Sequence, residues 1–215
     1  MKTLPSSVKI DEKYRERLLE FQTVDDIPDE WKGTPLEAFI LSQNFNWPIQ
    51  ATGEPKLLIA TCIEFRYALP VPRMYAYVIR RASGRLIGSE FSVAYTLAKG
   101  VKHLMMIGHN DCGMSQIPAN TPLVIEALVE QGWSKEQATE YVKKHGTRHA
   151  INDEVDSLKE EYLRIRKVFP RLVVAPLFVC LHDNRLYLPT WYQEIAHENQ
   201  VRDAHVPDEI VKNLP

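Results

Sequence analysis

Residues 57–66 read LLIATCIEFR, an apolar run that ends by setting down a thiol, a carboxylate and a guanidinium within five residues. A short run without polar alternation needs apolar surroundings on both faces, the condition of a strand inside a parallel sheet covered by helices. The chain repeats that theme. KLLIATC (56–62), MYAYVIR (74–80) and VKHLMMIGH (101–109) read as strands, and SEFSVAYTLAKG (89–100) reads as a helix closed by Gly100. INDEVDSLKEEYLRIRKVF (151–169) is a long helix with Val155, Leu158, Tyr162, Leu163, Ile165 and Val168 favouring one side. RLVVAPLFVCLHDNRLYLP (171–189) supplies two strands joined at Asp183-Asn184, a hairpin. The expectation is an α/β fold: a mostly parallel β-sheet of four strands plus an antiparallel edge strand, with helices on both faces.

The flanking segments decorate that sheet. Residues 1–55 read as an N-terminal helical arm, with DEKYRERLLEF (11–21) as one amphipathic helix, IPDEWKGTP as a breaker and LEAFILSQN (36–44) as a second helix. Residues 56–215 form the α/β domain, with a helical insertion near 121–149. That insertion reads as a helix pair, its second member opening with a capping box of Ser134 and Gln137 and stopping at Gly146. A chain of 215 residues suits one such domain.

Composition narrows the function. A formal net charge of −2 implies no nucleic-acid partner. No apolar run approaches the ~20 residues of a membrane span, and the charged N-terminus lacks the apolar centre of a signal peptide, so the expectation is a cytoplasmic protein without a membrane partner. Cys62, Cys112 and Cys180 cannot all pair, and a reducing compartment keeps thiols free. Core packing, metal binding and nucleophilic chemistry remain.

GHNDCGM (108–114) places His109 and Cys112 three apart in a glycine-flanked turn. Thiolate sulfur and imidazole nitrogen suit Zn2+, and Cys62 from another strand end completes a Cys2His set. Three protein ligands are one short of a closed tetrahedron, as in catalytic zinc sites, where a bound water has its pKa lowered to roughly 7. Glu64 either accepts a hydrogen bond from that water or binds the metal itself, and Arg66 holds the carboxylate ionised and oriented.

These residues resemble the β-class carbonic anhydrases: C-x-acid-x-R at the end of the first strand, R-x-A before a helix, and H-x-x-C-G at the end of the third. The likeness runs from about Lys56 to Met114 and is closest over VKHLMMIGHNDCG (101–113). It implies Cys62, His109 and Cys112 as zinc ligands, Arg66 as the arginine of an acid–arginine dyad and Glu64 as its acid. It further implies a zinc lyase (carbonate dehydratase) that hydrates CO2 reversibly to bicarbonate through zinc-bound hydroxide, assembled as a homodimer or higher homo-oligomer with the N-terminal arm over a neighbour. Two positions depart from the pattern. The family's dyad acid is aspartate where this chain has Glu64, and its R-N-A-G reads Arg80-Arg81-Ala82-Ser83, with Gly84 next.

The alternatives are a hydrolase of COS or CS2 using the same zinc hydroxide, and a weakly active zinc-binding relative in which Glu64 is the fourth ligand. A metal-free thiolate nucleophile fits poorly, because three residues between Cys62 and Arg66 are too few to wrap an oxyanion. Cys180 reads as a buried small hydrophobe. Arg80 and Arg81 read either as solvated charges or as an anion contact. His145 and His149 stand at helical spacing, but Gly146 breaks the helix that would align them.

Overall fold

The computed structural model describes residues 12–50, 53–196 and 206–214. Six strands form one sheet: β1 (Leu18–Glu20), β2 (Leu57–Cys62), β3 (Ala76–Arg81), β4 (His103–His109), β5 (Val173–Cys180) and β6 (Arg185–Pro189), in the order β1-β6-β5-β4-β2-β3. The four strands β3, β2, β4 and β5 run parallel, while β6 is antiparallel to β5 and β1 to β6. Every residue of β2 is buried, as its uninterrupted apolar run requires of a strand covered on both faces. The helices are α1 (Pro35–Phe45), α2 (Glu90–Ala98), α3 (Ile117–Glu130), α4 (Lys135–His145), α5 (Glu154–Val168), α6 (Thr190–Ile195) and α7 (Asp208–Lys212). Helix α5 packs on β4 and β5, and α1 on β4 and β6. Among the described residues no helix is long and apolar enough to cross a membrane.

The four parallel strands and the hairpin fall where the sequence places them, and the sheet gains one strand. Over 12–21 the structure has a single 3-10 turn (Glu12–Tyr14) and then β1, in place of the expected amphipathic helix. Tyr14, Leu18 and Phe21 fit helical spacing, yet all three are buried in the present arrangement as well. The strand form adds a ladder to the exposed edge of β6, satisfying backbone groups that a helix would leave to solvent there. The second arm helix is α1, capped by Thr34, whose Oγ1 accepts from Leu36 N at 3.2 Å, and ended by Asn46 in the left-handed region at φ 58°. Helix α3 begins four residues before the expected start, with Pro118 in its first turn, where a missing N–H costs no helical bond.

Parallel register brings the carboxyl ends of three strands together. Thr61 of β2 lies opposite Ile107 of β4, and Cys62 lies opposite Arg81 of β3. The chain leaves β3 through Ser83 and Gly84, both left-handed at φ 61° and 71°. A Cβ on Gly84 would lie 3.2 Å from the backbone nitrogen of Cys62, so only glycine lets this turn sit against the end of β2. The first turn of α5 is tied to the arm by Arg17 Nη1 to Asp153 Oδ2 (2.9 Å) and Lys13 Nζ to Glu154 Oε2 (2.6 Å).

Gly84→Ala must therefore pay for left-handed strain and for a backbone contact at once. It is expected to lower stability to urea unfolding by about 1–3 kcal/mol, whereas Gly33→Ala, left-handed but with open space around it, loses only about 1–2 kcal/mol.

Candidate metal centre

Cys62 closes β2, His109 closes β4, and Cys112 precedes the 3-10 turn Gly113–Gln116. Ser115 fixes that turn by donating to the Cys112 carbonyl from both its backbone nitrogen (2.9 Å) and its hydroxyl (2.8 Å). Ile151, in the segment leading into α5, forms a small buried cluster with the two cysteines. One donor atom from each of Cys62, His109 and Cys112 lies within 4.8 Å of the others, and among the described residues this is the one such cluster of three. The two sulfurs are 3.9 Å apart, and none of the three residues is more than 4% exposed.

The tautomer of His109 follows from its neighbours. Nδ1 lies 2.9 Å from the Asn110 carbonyl, which can only accept, so Nδ1 carries the hydrogen. Nε2 is then a lone-pair donor, buried and without a protein partner. A buried acceptor with no hydrogen bond is costly in a finished core and expected of a metal ligand, whose other nitrogen is commonly held by a carbonyl.

The two thiols share their titration. Hydrogen bonding to Cys112 pulls Cys62 well down against the effect of burial, with help from His109 and the Ser83 backbone, while the same pairing pushes Cys112 up. The first proton leaves readily and the second does not. A cation is the natural means of ionising both, because two adjacent thiolates repel without one. Burial pulls His109 down, but Cys62, the Asn110 carbonyl and Glu64 outweigh it and leave the imidazole raised. Two sulfurs and a nitrogen, buried and converging, are a donor set that fits a soft or borderline metal ion.

Glu64 lies beside this cluster and outside it. Its Oε1 accepts from the Arg66 backbone nitrogen (2.8 Å) and Nε (2.7 Å), and its Oε2 accepts from Arg66 Nη2 (2.7 Å). Oε2 comes to 3.9 Å from His109 Nδ1. The Arg66 hydrogen bonds, opposed by burial, hold the Glu64 carboxyl down at about 2. Arg66 in turn reaches the turn between the other two candidate ligands, with Nη1 on Asp111 Oδ2 (2.6 Å) and Nη2 on the Asp111 carbonyl (2.9 Å).

Arg80 is exposed, and its guanidinium is also anchored: Nη1 donates to the Glu64 carbonyl and Nη2 to the Tyr67 carbonyl, both at 3.0 Å, pinning the loop that carries Glu64 and Arg66. Arg81 donates to Ser89 Oγ. Cys180 is buried in β5, apart from the cluster, and α4 ends at His145 with a 3-10 turn from Gly146 separating it from His149. Residue spacing does not point to Asp111 or Asn110, nor to backbone carbonyls as the partners of Arg80. Asn110 Oδ1 accepts from Leu181 N at 2.8 Å, a tie from the site to the start of the β5–β6 turn that no local pattern signals.

No protein-family model and no curated protein matches this sequence. Solved structures do match the fold. The β-carbonic anhydrase isoform I of Trichomonas vaginalis superposes with a TM-score of 0.52 at 20% identity, over 68% of this chain and 89% of that one. A carbonic anhydrase from Glaciozyma antarctica matches at TM-score 0.48 and 18% identity over 66% and 84% of the two chains. The apo form of a carbon disulfide hydrolase matches at 0.49 and 18% over 80% and 94%.

The Glu64 carboxyl titrates below its ordinary value in the folded chain, so its contribution to stability is complete above about pH 4.5 and is lost as the pH falls toward 2. The metal-free Glu64→Gln variant is therefore expected to show a shallower loss of stability than the parent between those two values, read from urea midpoints at successive pH.

Proposed function

With the fold of the β-class carbonic anhydrases as the premise, we propose that this chain is a zinc enzyme that converts CO2 and water reversibly to bicarbonate. Cys62, His109 and Cys112 hold the ion. The observation that carries the reading is the joint state of His109 and Glu64: a buried, unpartnered Nε2 lies in a cluster with two thiols, while the Glu64 carboxylate beside it has both oxygens occupied by Arg66. The protein thus offers three donors rather than four, the donor count of catalytic zinc. Zinc in such a set lowers the pKa of a coordinated water to roughly 7, supplying a nucleophile at neutral pH.

The chain's own groups do the rest. Asn110 fixes the His109 ring through Nδ1. Glu64 Oε2, which carries one donor where Oε1 carries two, has spare acceptor capacity for a water proton. A carboxyl held near 2 keeps no proton at neutral pH, so Glu64 orients a hydroxyl and does not store its proton. Arg66 keeps that carboxylate ionised, and Arg80 keeps its loop in place. Arm and α/β domain belong to one functional unit, because Lys13 and Arg17 anchor the start of α5 beside the site. The cytoplasm suits a chain whose three cysteines form no disulfide with one another. Assembly as a homodimer or larger is supported by Phe65 and Phe91, 90% and 85% exposed, as apolar surface suited to a second copy.

Stopped-flow CO2 hydration on zinc-loaded protein tests the activity. Turnover is expected, and Glu64→Asp, which restores the shorter dyad acid, is expected to keep it. A silent parent with an active Glu64→Asp variant would mean that Glu64 closes the coordination sphere; hydrolysis of COS or CS2 without CO2 hydration would reassign the substrate. Zinc content after dialysis is expected to fall from about one ion per chain to near none in Cys112→Ala. Stoichiometric zinc in that variant refutes the ligand set.

A further inference from the structure

We propose that Asp111 is a positioning residue that keeps Glu64 off the metal, by gripping the edge of the Arg66 guanidinium that Glu64 does not use. The inference rests on the proposed zinc site and concerns what holds that site at three protein donors. A guanidinium carries five N–H groups in a planar fork. Arg66 spends Nε and one N–H of Nη2 on the two oxygens of Glu64, and Nη1 and the other N–H of Nη2 on the carboxylate and carbonyl of Asp111. The plane of the group is thereby fixed from both sides, and the two sides belong to the two segments that carry the ligands.

Asp111 reaches this position because its backbone is left-handed, at φ 54°, a conformation that aspartate tolerates better than most residues. It stands between His109 and Cys112, and Asn110 is tied to Leu181, so the turn that presents Asp111 is anchored independently of Arg66. Glu64 needs such restraint. Its Oε2 lies 3.9 Å from Nδ1, the hydrogen-bearing edge of the His109 ring and not its ligand atom, and its side chain is one methylene longer than an aspartate would be, which gives it reach beyond that edge. If Arg66 could swing, the carboxylate would swing with it toward the donor cluster and supply a fourth ligand. Arg66 is 39% exposed and the Asp111 side chain 64%, so their ion pair adds little to stability. Its effect falls on coordination instead.

The test uses cobalt-substituted full-length protein, with the visible absorption spectrum and its titration by azide as readouts. The parent is expected to respond to azide. Asp111→Gly, which suits the left-handed backbone and removes the carboxylate, is expected to raise the azide Kd about tenfold, the weakening of a site open one tenth of the time. Its thermal midpoint should stay close to the parent's. Asp111→Asn keeps an acceptor and should stay near the parent Kd. The double variant Glu64→Ala/Asp111→Gly should regain the parent Kd, because the Glu64 carboxylate is no longer there to fill the site.

Unchanged azide affinity in Asp111→Gly overturns the assignment while leaving the zinc site intact. So does a loss that removing Glu64 fails to restore. A parent that binds cobalt but ignores azide overturns the three-donor reading itself, and this assignment with it.

Discussion

Parallel pairing of β2 with β4 is the constraint from which the site follows. In the register that sets Thr61 opposite Ile107, β2 ends one residue further on at Cys62 and β4 two residues further on at His109, on strands about 4.8 Å apart. The register thus carries a sulfur and an imidazole to neighbouring strand ends, where one donor atom of each lies within 4.8 Å of the other. A slip by one residue would turn either side chain to the opposite face and disperse the cluster. The apolar contacts that hold the register are thus also what hold the donors.

Around that pair, each further element acts by restraint. Gly84 lets the β3 exit turn lie against the Cys62 backbone, and Ser115 and Ile151 fix Cys112 from the far side. Arg80 and Arg66 both serve the loop after β2, one by its carbonyls and one by its carboxylate. The outcome is a buried site with an electrostatic asymmetry: a thiol pair short of positive charge on one side, and an ion-paired carboxylate–guanidinium group on the other. Positive charge delivered to the thiols relieves the first without disturbing the second.

Much of this was legible in the residues. The Cys2His cluster could be read because Cys62 and His109 end apolar runs and Cys112 follows in the next turn, and strand ends are where parallel sheets gather functional groups. The parallel strands could be read because burial on both faces leaves an uninterrupted apolar run. β1 could not, because Tyr14, Leu18 and Phe21 satisfy helical and extended spacing alike, and only the free edge of β6 decides between them. Arg80 was open for a similar reason, since a charged residue at a strand end has no pattern that distinguishes solvent from a carbonyl in the preceding loop.

The sequence by itself determined the donor types, their strand-end positions and the unusual length of the Glu64 side chain, because these are properties of residue identity and of short apolar periodicity. Only the tertiary structure decided where that longer carboxylate points. Its direction is set by Arg66, and Arg66 is set by Asp111 across the gap between two strand ends. Such an arrangement of donors and acceptors depends on distances of under 3 Å between segments far apart in the chain, and these exist only once the sheet has brought its edges into register.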